Sequence, residues 1–369
     1  MNSGELHAFH YATRKPVRVK WNSEKLIALD EVAERPEKDI WIAPPLVDLQ
    51  INGYAGVDFQ RDDVSTEDLL RATRALRRDG CAHFLLTLIT DEWSRLLARL
   101  RKFRSLREQS PELRSAIIGW HVEGPFLSEK PGFCGAHNPA HMCDPLPEYI
   151  RELRWITGDD RVLLTMAPER SGATEAIQLA TSRGMRVSLG HTDASAEILR
   201  RAVKAGATGF THLANGCARE LDRHDNILFR VCDTPGLTVS FIADGIHVPE
   251  RTFRLLHKLL NEHEVYYTTD AMAAAGAGPG RYRLGELELE VGADQIVRQP
   301  GKTNFAGSAL TPIQGVFRAA KMLNCPWQEC WRRFSEVPAK FIGFDNELRA
   351  GAESFCIVEP ARETTTIIA

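Results

Sequence analysis

The sequence has no apolar run long enough to cross a membrane, and its first residues contain no apolar signal core. We therefore expect a cytoplasmic protein without a membrane partner. The net charge is only −3, so no basic field favours nucleic acid. The eight cysteines stand singly, with no CxxC pair. This spacing argues against a disulfide framework and against a structural zinc site.

Internal repeats, low-complexity tracts and flexible linkers are also absent from the sequence. A length of 369 residues favours about two structural units, or one large barrel with an addition. Short alternating apolar pieces occur within residues 1–43, and a similar piece occurs at 354–359. These patterns predict β-strands outside the main body. We assign residues 1–43 and 345–369 to one small β-unit.

Between these ends, eight apolar and β-rich runs alternate with amphipathic helical patterns. The strands are predicted near residues 46–51, 82–89, 115–122, 162–167, 186–191, 208–213, 237–243 and 265–270. The helices are predicted near residues 66–78, 92–108, 173–183, 195–205, 250–262, 311–323 and 326–341. Eight strands with intervening helices favour an α/β fold that closes as a (β/α)8 barrel. We assign residues 44–344 to this barrel and interpret 276–301 as an inserted β-hairpin.

Charged and imidazole side chains stand at the ends of several predicted strands. Glu123 ends the third strand, His191 and His212 end the fifth and sixth, and Asp270 ends the eighth. The carboxyl ends of barrel strands meet at the face where active sites collect. A lone glutamate there is more often an ion-pair partner or a helix cap. One glutamate with two histidines, however, matches the ligand set of a catalytic zinc site, and Asp270 supplies a base.

Eight short motifs extend this pattern along the chain. They are Val47–Asn52, His121–Phe126, Gly135–Asn138, Gly190–Ala194, Thr211–Asn215, Ile242–Val248, Thr269–Ala271 and Ala306–Thr311. In these motifs the chain resembles the N-acetylglucosamine-6-phosphate deacetylases of the amidohydrolase superfamily. The resemblance implies a TIM-like barrel of the metal-dependent hydrolase type, with a small β-sandwich built from both chain ends. It also implies a homodimer that hydrolyses the acetamide of N-acetylglucosamine 6-phosphate to glucosamine 6-phosphate and acetate.

The resemblance assigns roles to individual residues. Glu123, His191 and His212 would bind the metal, and Asp270 would be the general base and then the general acid. His137 would donate a hydrogen bond to the substrate carbonyl oxygen. Arg223 and His247 would bind the phosphate. The full set of residues that would contact the substrate is Ala136, Asn215, Gly216, Arg223, His247, Phe305, Ala306 and Gly307.

The first predicted strand bears on the number of metal ions. Many amidohydrolases carry His-x-His there, whereas this chain has Gln50 and Asn52. With no imidazole at this position, we predict one divalent metal, and Gln50 could hydrogen-bond a water on that metal. Two histidines and one glutamate suit zinc best, although Fe²⁺ and Mn²⁺ accept the same ligands.

Some residues leave alternatives open. Where the family usually continues Ala-Met, this chain has Gly216-Cys217, and Arg223 could pair with Asp222 or Asp225 on a solvated loop. One alternative is therefore hydrolysis of another N-acylated sugar or of a cyclic amide. Another is a non-catalytic sensor of sugar phosphates, since a fold does not dictate a function.

Four further side chains receive weaker predictions. Asp48 is predicted to brace the site, and His121 to be a core histidine or a partner of a ligand. Lys130 and Lys302 could contact an anionic substrate, although most lysines are only solvated.

Overall fold

The computed structural model describes residues 3–23, 25–261, 263–301 and 305–368. Lys302 therefore lies outside the described residues. Within these ranges, no helix combines the length and the apolar character that a membrane crossing requires.

The two chain ends meet in one six-stranded sheet. Its N-terminal strands are β1 (Gly4–His10), β2 (Pro16–Trp21), β3 (Leu26–Glu31) and β4 (Trp41–Ala43). The two C-terminal strands of the chain complete it beside β4. Alternation is clearest in β2, where Val17 and Val19 are buried, as expected for a sheet with one face on a core.

Eight parallel strands form the second and larger sheet. After β5 (Leu46–Ile51) comes a short hairpin of β6 (Gly53–Tyr54) and β7 (Val57–Asp58). The remaining barrel strands are β8 (Cys81–Ile89), β9 (Ile117–Glu123), β10 (Arg161–Met166), β11 (Arg186–Leu189), β12 (Gly209–Phe210), β13 (Thr238–Ile242) and β14 (Val265–Thr268). Every residue of β5 and β9 is buried, as is typical of parallel strands that are covered on both faces.

Helices connect the barrel strands. They are α1 (Thr66–Arg78), α2 (Trp93–Glu108), α3 (Pro111–Ala116), α4 (Pro147–Thr157), α5 (Ala173–Ser182), α6 (Ala196–Ala205), α7 (Ile227–Cys232), α8 (Glu250–Leu259), α9 (Pro312–Leu323), α10 (Trp327–Phe334) and α11 (Glu336–Ile342). Some N-termini carry side-chain caps: Ser65 and Asp68, for example, form a reciprocal capping box at α1.

The barrel closes between β5 and β14. Ile51 and Ala271 form an isolated parallel bridge, and the N–H of Asn52 donates to the carbonyl of Ala271 at 2.8 Å. Nearer the start of β5, Oδ2 of Asp48 accepts hydrogen bonds from the N–H of Thr269 at 3.0 Å and from its hydroxyl at 2.6 Å. The predicted bracing role of Asp48 corresponds to this position, where the carboxylate joins the first and last strands.

The segment after β14 forms a small sheet of its own. Its strands are β15 (Gly280–Leu284), β16 (Leu287–Val291) and β17 (Val297–Arg298). The predicted two-stranded hairpin at 276–301 is therefore a three-stranded antiparallel sheet. Leu284, Leu289 and Val291 pack with residues that follow β14, among them Met272. The chain ends with β18 (Phe355–Glu359) and β19 (Thr364–Ile368).

The eight-stranded barrel and the terminal sheet confirm the predicted fold, while several element boundaries differ. Helices α3, α4 and α7 were not predicted; the first and last have only six residues each, too short for a clear period. The helix expected at 326–341 is two helices, separated at Ser335. We propose that the boundaries between the small β-unit and the barrel domain lie at 43/44 and 344/345, so that each of the two large sheets belongs to one domain.

Candidate metal and active site

Three buried side chains converge at the carboxyl end of the barrel. Glu123 is the last residue of β9, His191 lies just past β11, and His212 lies just past β12. Each offers one ligand atom, and the three atoms lie within 4.8 Å of one another. Nε2 of His212 is 2.9 Å from Oε1 of Glu123, and Nε2 of His191 is 3.4 Å from the same oxygen. A carboxylate and two imidazoles at such distances can share one metal ion.

The orientation of His191 fits a metal ligand. Its Nδ1 lies 2.9 Å from the carbonyl oxygen of Phe133, and a carbonyl can only accept. The proton is therefore on Nδ1, and the lone pair of Nε2 faces Glu123. Hydrogen bonding of the outer nitrogen to a carbonyl is the usual way in which a protein fixes a ligating histidine.

Glycines pack against the ring of His191 on the neighbouring loops. A Cβ added to Gly135 would lie 2.7 Å from Cε1 of the imidazole, and one added to Gly216 would lie 2.8 Å from its Nδ1. Both glycines also have φ near +58°, which other residues adopt with difficulty. The departure at Gly216 therefore makes room for the ring of a metal-ligand candidate.

The electrostatics of the cluster couple Glu123 to its imidazoles. Burial by itself would raise the pKa of Glu123, but its close contacts with the imidazoles of His191 and His212 bring it well below its usual range. Burial alone would likewise lower the pKa of His212, whereas its hydrogen bond to Glu123 raises it. A metal ion at this site would compete with the proton on Nε2 of His212, so metal binding should weaken as the pH falls.

The backbone is strained at three of the strand ends. His191, His212 and Asp270 have φ of 51°, 33° and 51°, in the left-handed region that residues other than glycine occupy rarely. Such strain persists only where the surrounding structure holds it, and it concentrates at functional sites. Here it turns the three side chains inward immediately after their strands end.

Asp270 lies beside the cluster, and Asn52 holds it. Nδ2 of Asn52 donates to Oδ1 of Asp270 at 2.7 Å. Burial, together with the negative charge of Glu123, raises the pKa of Asp270 to about 7. A carboxyl group with such a pKa can accept and release a proton near neutral pH.

His137 lies beside the other carboxylate oxygen of Glu123. Its Nε2 is 3.6 Å from Oε2 of Glu123, and its Nδ1 is 2.8 Å from the hydroxyl and 3.4 Å from the backbone N–H of Thr90. A backbone N–H can only donate, so Nδ1 is the acceptor and the proton is on Nε2. Burial lowers the pKa of His137 to about 3, which keeps the ring neutral.

A pocket of about 110 Å³ brings most of the predicted residues together. Its lining includes the three metal-ligand candidates, both catalytic candidates and most of the predicted substrate contacts: Glu123, His191, His212, His137, Asp270, Ala136, Asn215, Gly216, His247, Phe305 and Gly307. Gln50 lies just behind the lining, where its Nε2 donates to Oε1 of Glu123 at 3.0 Å. Ala306 is buried in the apolar cluster beneath the pocket.

Arg223 is the predicted residue that stands apart. It is exposed on the loop before α7 and does not belong to the pocket lining. The alternative, an ion pair with Asp222 or Asp225, is absent among the described residues, and Asp222 instead caps the N–H groups of His224 and Asp225. Asp225 in turn pairs with Arg230. The guanidinium of Arg223 is therefore available to a ligand.

Two weaker predictions have clear structural positions. His121 is fully buried and contacts the hydroxyl of Thr165 at 2.8 Å, so it is a core histidine. Lys130 forms an ion pair with Asp193, which reduces its availability for an anionic substrate.

The structure also reveals contacts that the sequence reasoning missed. Asn52 and Thr90 orient the two catalytic candidates, and Asp244 orients His247. Leu284, from the inserted sheet, reaches the pocket lining. Asn52 and Asp244 stand out in the sequence as polar residues near strand ends, but their partners do not, and Leu284 is brought in only by the packing of the insertion.

Comparisons with known proteins agree with this geometry. The chain is 30% identical over 309 residues to the N-acetylglucosamine-6-phosphate deacetylase of Vibrio furnissii, covering 83% of this chain and 75% of the relative. It is 31% identical over 333 residues to the enzyme of that name from Danio rerio, covering 86% and 80%. The chain belongs to the N-acetylglucosamine-6-phosphate deacetylase family. No family model matches it.

A solved structure extends the similarity to the whole deacetylase fold. It is an N-acetyl-D-glucosamine-6-phosphate deacetylase variant from Mycobacterium smegmatis, in complex with N-acetyl-D-glucosamine-6-phosphate. The TM-score is 0.88 at 28% identity, and the match covers 100% of this chain and 98% of the other. The barrel and the terminal sheet are thus those of a deacetylase family member.

Proposed function

We propose that the protein hydrolyses the acetamide of N-acetylglucosamine 6-phosphate, giving glucosamine 6-phosphate and acetate. The observation that carries this proposal is the position of Asp270 beside Glu123, His191 and His212 in one buried pocket. A binding protein has no need of a carboxyl group whose pKa is near 7 next to a metal-ligand set. The similarity to a deacetylase that holds this substrate supports the choice of amide.

We propose that Glu123, His191 and His212 hold one divalent metal, most simply zinc, with Fe²⁺ and Mn²⁺ as alternatives. When bound, such a metal polarises the acetamide carbonyl and lowers the pKa of a nearby water to about 7. Gln50 donates to Glu123 and would hydrogen-bond that water. The metal-ligand group found among the described residues has three members, which suits a single ion.

In this mechanism Asp270 moves the proton. As a carboxylate it accepts a proton from the attacking water, and it then donates that proton to the departing nitrogen of the amino sugar. One group serves both steps because they occur in sequence. Asn52 fixes Oδ1 of Asp270, so the second oxygen is free to exchange the proton.

His137 would stabilise the charge that develops on the carbonyl oxygen. Its proton is on Nε2, the nitrogen that faces the site, and its ring is neutral. A hydrogen-bond donor fixed where negative charge develops on the carbonyl oxygen lowers the barrier to hydrolysis, and the donor keeps its proton throughout. Thr90 keeps this tautomer.

The remaining lining residues would hold the sugar. Ala136, Asn215, Gly216 and Gly307 surround the metal-ligand candidates, and Ala306 supports them from beneath. The ring of Phe305 packs edge-on against His247, with 5.1 Å between ring centroids. His247 and Arg223 would bind the phosphate, Arg223 by a movement of its exposed loop.

One observation favours a second candidate function. Among the residues that the structure describes, the pocket lining contains no arginine or lysine, and the substrate phosphate needs positive charge. Hydrolysis of another N-acylated sugar or of a cyclic amide would need none.

Acetate release separates the candidates. The rate should be measured with N-acetylglucosamine 6-phosphate and with N-acetylglucosamine, on protein of known metal content. A strong preference for the phosphorylated sugar supports the proposal. Equal rates would favour the second candidate, and binding without acetate release in metal-loaded protein would indicate a sensor. The family resemblance also leads us to propose a homodimer in the cytoplasm, which sedimentation and cell fractionation would test.

A further inference from the structure

The loop after β13 carries a buried acid–imidazole pair, in which the mechanism gives a role to His247 but none to Asp244. Nδ1 of His247 lies 2.6 Å from Oδ2 of Asp244, and the two side chains are 8% and 3% exposed. Oδ1 of Asp244 accepts the N–H groups of Ile246 and His247, each at 2.8 Å. Backbone N–H groups of the loop thus fix one carboxylate oxygen of Asp244, and the other oxygen contacts Nδ1 of His247. His247 itself lines the pocket.

We propose that Asp244 is a positioning residue that makes His247 a proton-coupled phosphate site. In this inference, a phosphate dianion binds together with one proton, which His247 takes up at Nε2. The inference rests on the proposed function, because it names the part of the pocket that selects a phosphorylated sugar.

The hydrogen-bonding capacities of the groups give the reason. A carboxylate is only an acceptor, so the proton of a neutral His247 is on Nδ1, where Asp244 accepts it. Nε2 then presents a lone pair to the pocket. A phosphate dianion also offers only acceptors, so it cannot bind Nε2 until one proton enters between them. The balance is one imidazole, one proton from the solvent and one dianion, giving an imidazolium–phosphate pair.

Asp244 is suited to sustain the positive charge. Burial would raise the pKa of its carboxyl group, but the hydrogen bond from His247 lowers it, and so do the backbone hydrogen bonds of Ile246 and His247. Asp244 therefore stays ionised and would stabilise the imidazolium that forms when phosphate binds.

The other charged groups near the pair come from two elements. Asp270, past the end of β14, also interacts electrostatically with His247. Arg318 of α9 donates to the backbone oxygen of Asp244 at 3.4 Å, so it supports the loop rather than the ring. Phe305 covers one edge of the imidazole with a neutral surface.

The test is calorimetric titration of the metal-loaded protein at pH 8 with glucose 6-phosphate, which has a phosphate but no amide or amine. Running it in two buffers of different ionisation enthalpy gives the number of protons taken up. We expect close to one proton per ligand for the wild type. In Asp244→Asn the new amide donates to Nδ1, so Nε2 already carries the proton. We expect uptake near zero there, and binding at least tenfold weaker.

Matched variants make the outcome decisive. His247→Gln should also abolish uptake, and adding Asp244→Asn to it should change binding little further. Metal content and unfolding midpoints identify damaged protein. Wild-type binding without proton uptake, no wild-type binding at all, or equal uptake in Asp244→Asn would each overturn the inference. Failure to release acetate would instead refute the proposed function, which is measured separately.

Discussion

Nδ2 of Asn52 lies 2.7 Å from Oδ1 of Asp270, and this contact joins the first strand of the barrel to the last. Asn52 directly follows β5, and Asp270 comes two residues after β14 ends. One layer deeper, Asp48 accepts two hydrogen bonds from Thr269. The hydrogen bonds that close the barrel therefore also set the position of the proposed general base.

Replacing Asn52 with alanine should lower kcat for acetate release by about 10- to 100-fold. A hydrogen bond to a charged group contributes about 1.5–3 kcal/mol, and here it selects the rotamer of Asp270. Metal content should not change. Asn346→Ala is the matched control, because Asn346 donates a similar 2.8 Å hydrogen bond to Pro45 at the other end of β5. Equal activity of Asn52→Ala and wild type would refute the positioning role.

Asp270→Asn should retain the metal and lose catalysis by about 10²- to 10⁴-fold, the usual contribution of a general acid–base group. Single-turnover acetate release with metal analysis is the measurement. Asp48→Asn offers a contrast, because this buried carboxyl group contacts the closing threonines and not the pocket. It should lower the unfolding midpoint instead. An active Asp270→Asn protein would show that the proton moves through another group.

The order of the elements could be predicted because the barrel repeats one pattern. Most of the buried parallel strands are compact apolar runs, and most are followed by a helix with a clear apolar period, so periodicity locates both. The ligand candidates Glu123, His191 and His212 stood out for the same reason, since each comes at or just past a strand end. Helices as short as α3 and α7 have too few turns to show a period, and the packing around them decides their conformation.

Contacts made through tertiary closure could not be predicted. The hydrogen bond from Asn52 to Asp270 joins residues 218 apart in sequence, and only the meeting of β5 with β14 creates it. The left-handed backbone at His191 and His212 is likewise invisible in a sequence, because histidine rarely adopts it. The exposure of Arg223 could not be predicted either, because it depends on the partners of the neighbouring carboxylates. Asp222 accepts backbone N–H groups, and Asp225 pairs with Arg230.

Arg223→Ala tests the phosphate assignment. We expect kcat/KM for N-acetylglucosamine 6-phosphate to fall by more than about tenfold, or roughly 1.4 kcal/mol of transition-state binding. The value for the unphosphorylated sugar should change much less, since it has no group for the guanidinium. Arg200→Ala is the control, because Arg200 is exposed on α6 with only a 3.9 Å contact to Asp233. A similar loss on both sugars would exclude a phosphate-specific role.

His83 should make folding stability depend on pH. Its Nδ1 contacts the carbonyl of Ser115 at 2.9 Å, and burial lowers its pKa from 6.5 to about 4. Between pH 6.5 and pH 4, His83 binds a proton in the unfolded chain but not in the folded protein. The free energy of unfolding should therefore fall as pH drops from 6.5 to 4, by roughly 3 kcal/mol in total from this group.

Chemical denaturation of the wild type and of His83→Gln, at several pH values in this window, measures that effect. Both protein solutions should contain a chelator, so that metal release does not contribute to the change of unfolding free energy with pH. The variant should lose stability less steeply, by up to about 1.4 kcal/mol per pH unit. Parallel slopes would mean that His83 does not titrate differently in the folded and unfolded chains.

The central claim is that one metal at Glu123, His191 and His212 supports deacetylation. Its most direct test adds zinc stepwise to metal-depleted protein and follows acetate release from N-acetylglucosamine 6-phosphate. We predict that activity rises linearly and stops rising at one equivalent of zinc per chain, and that His191→Asn neither retains the metal nor regains activity. Full activity in metal-free protein, or a rise that continues to two equivalents, would contradict the account.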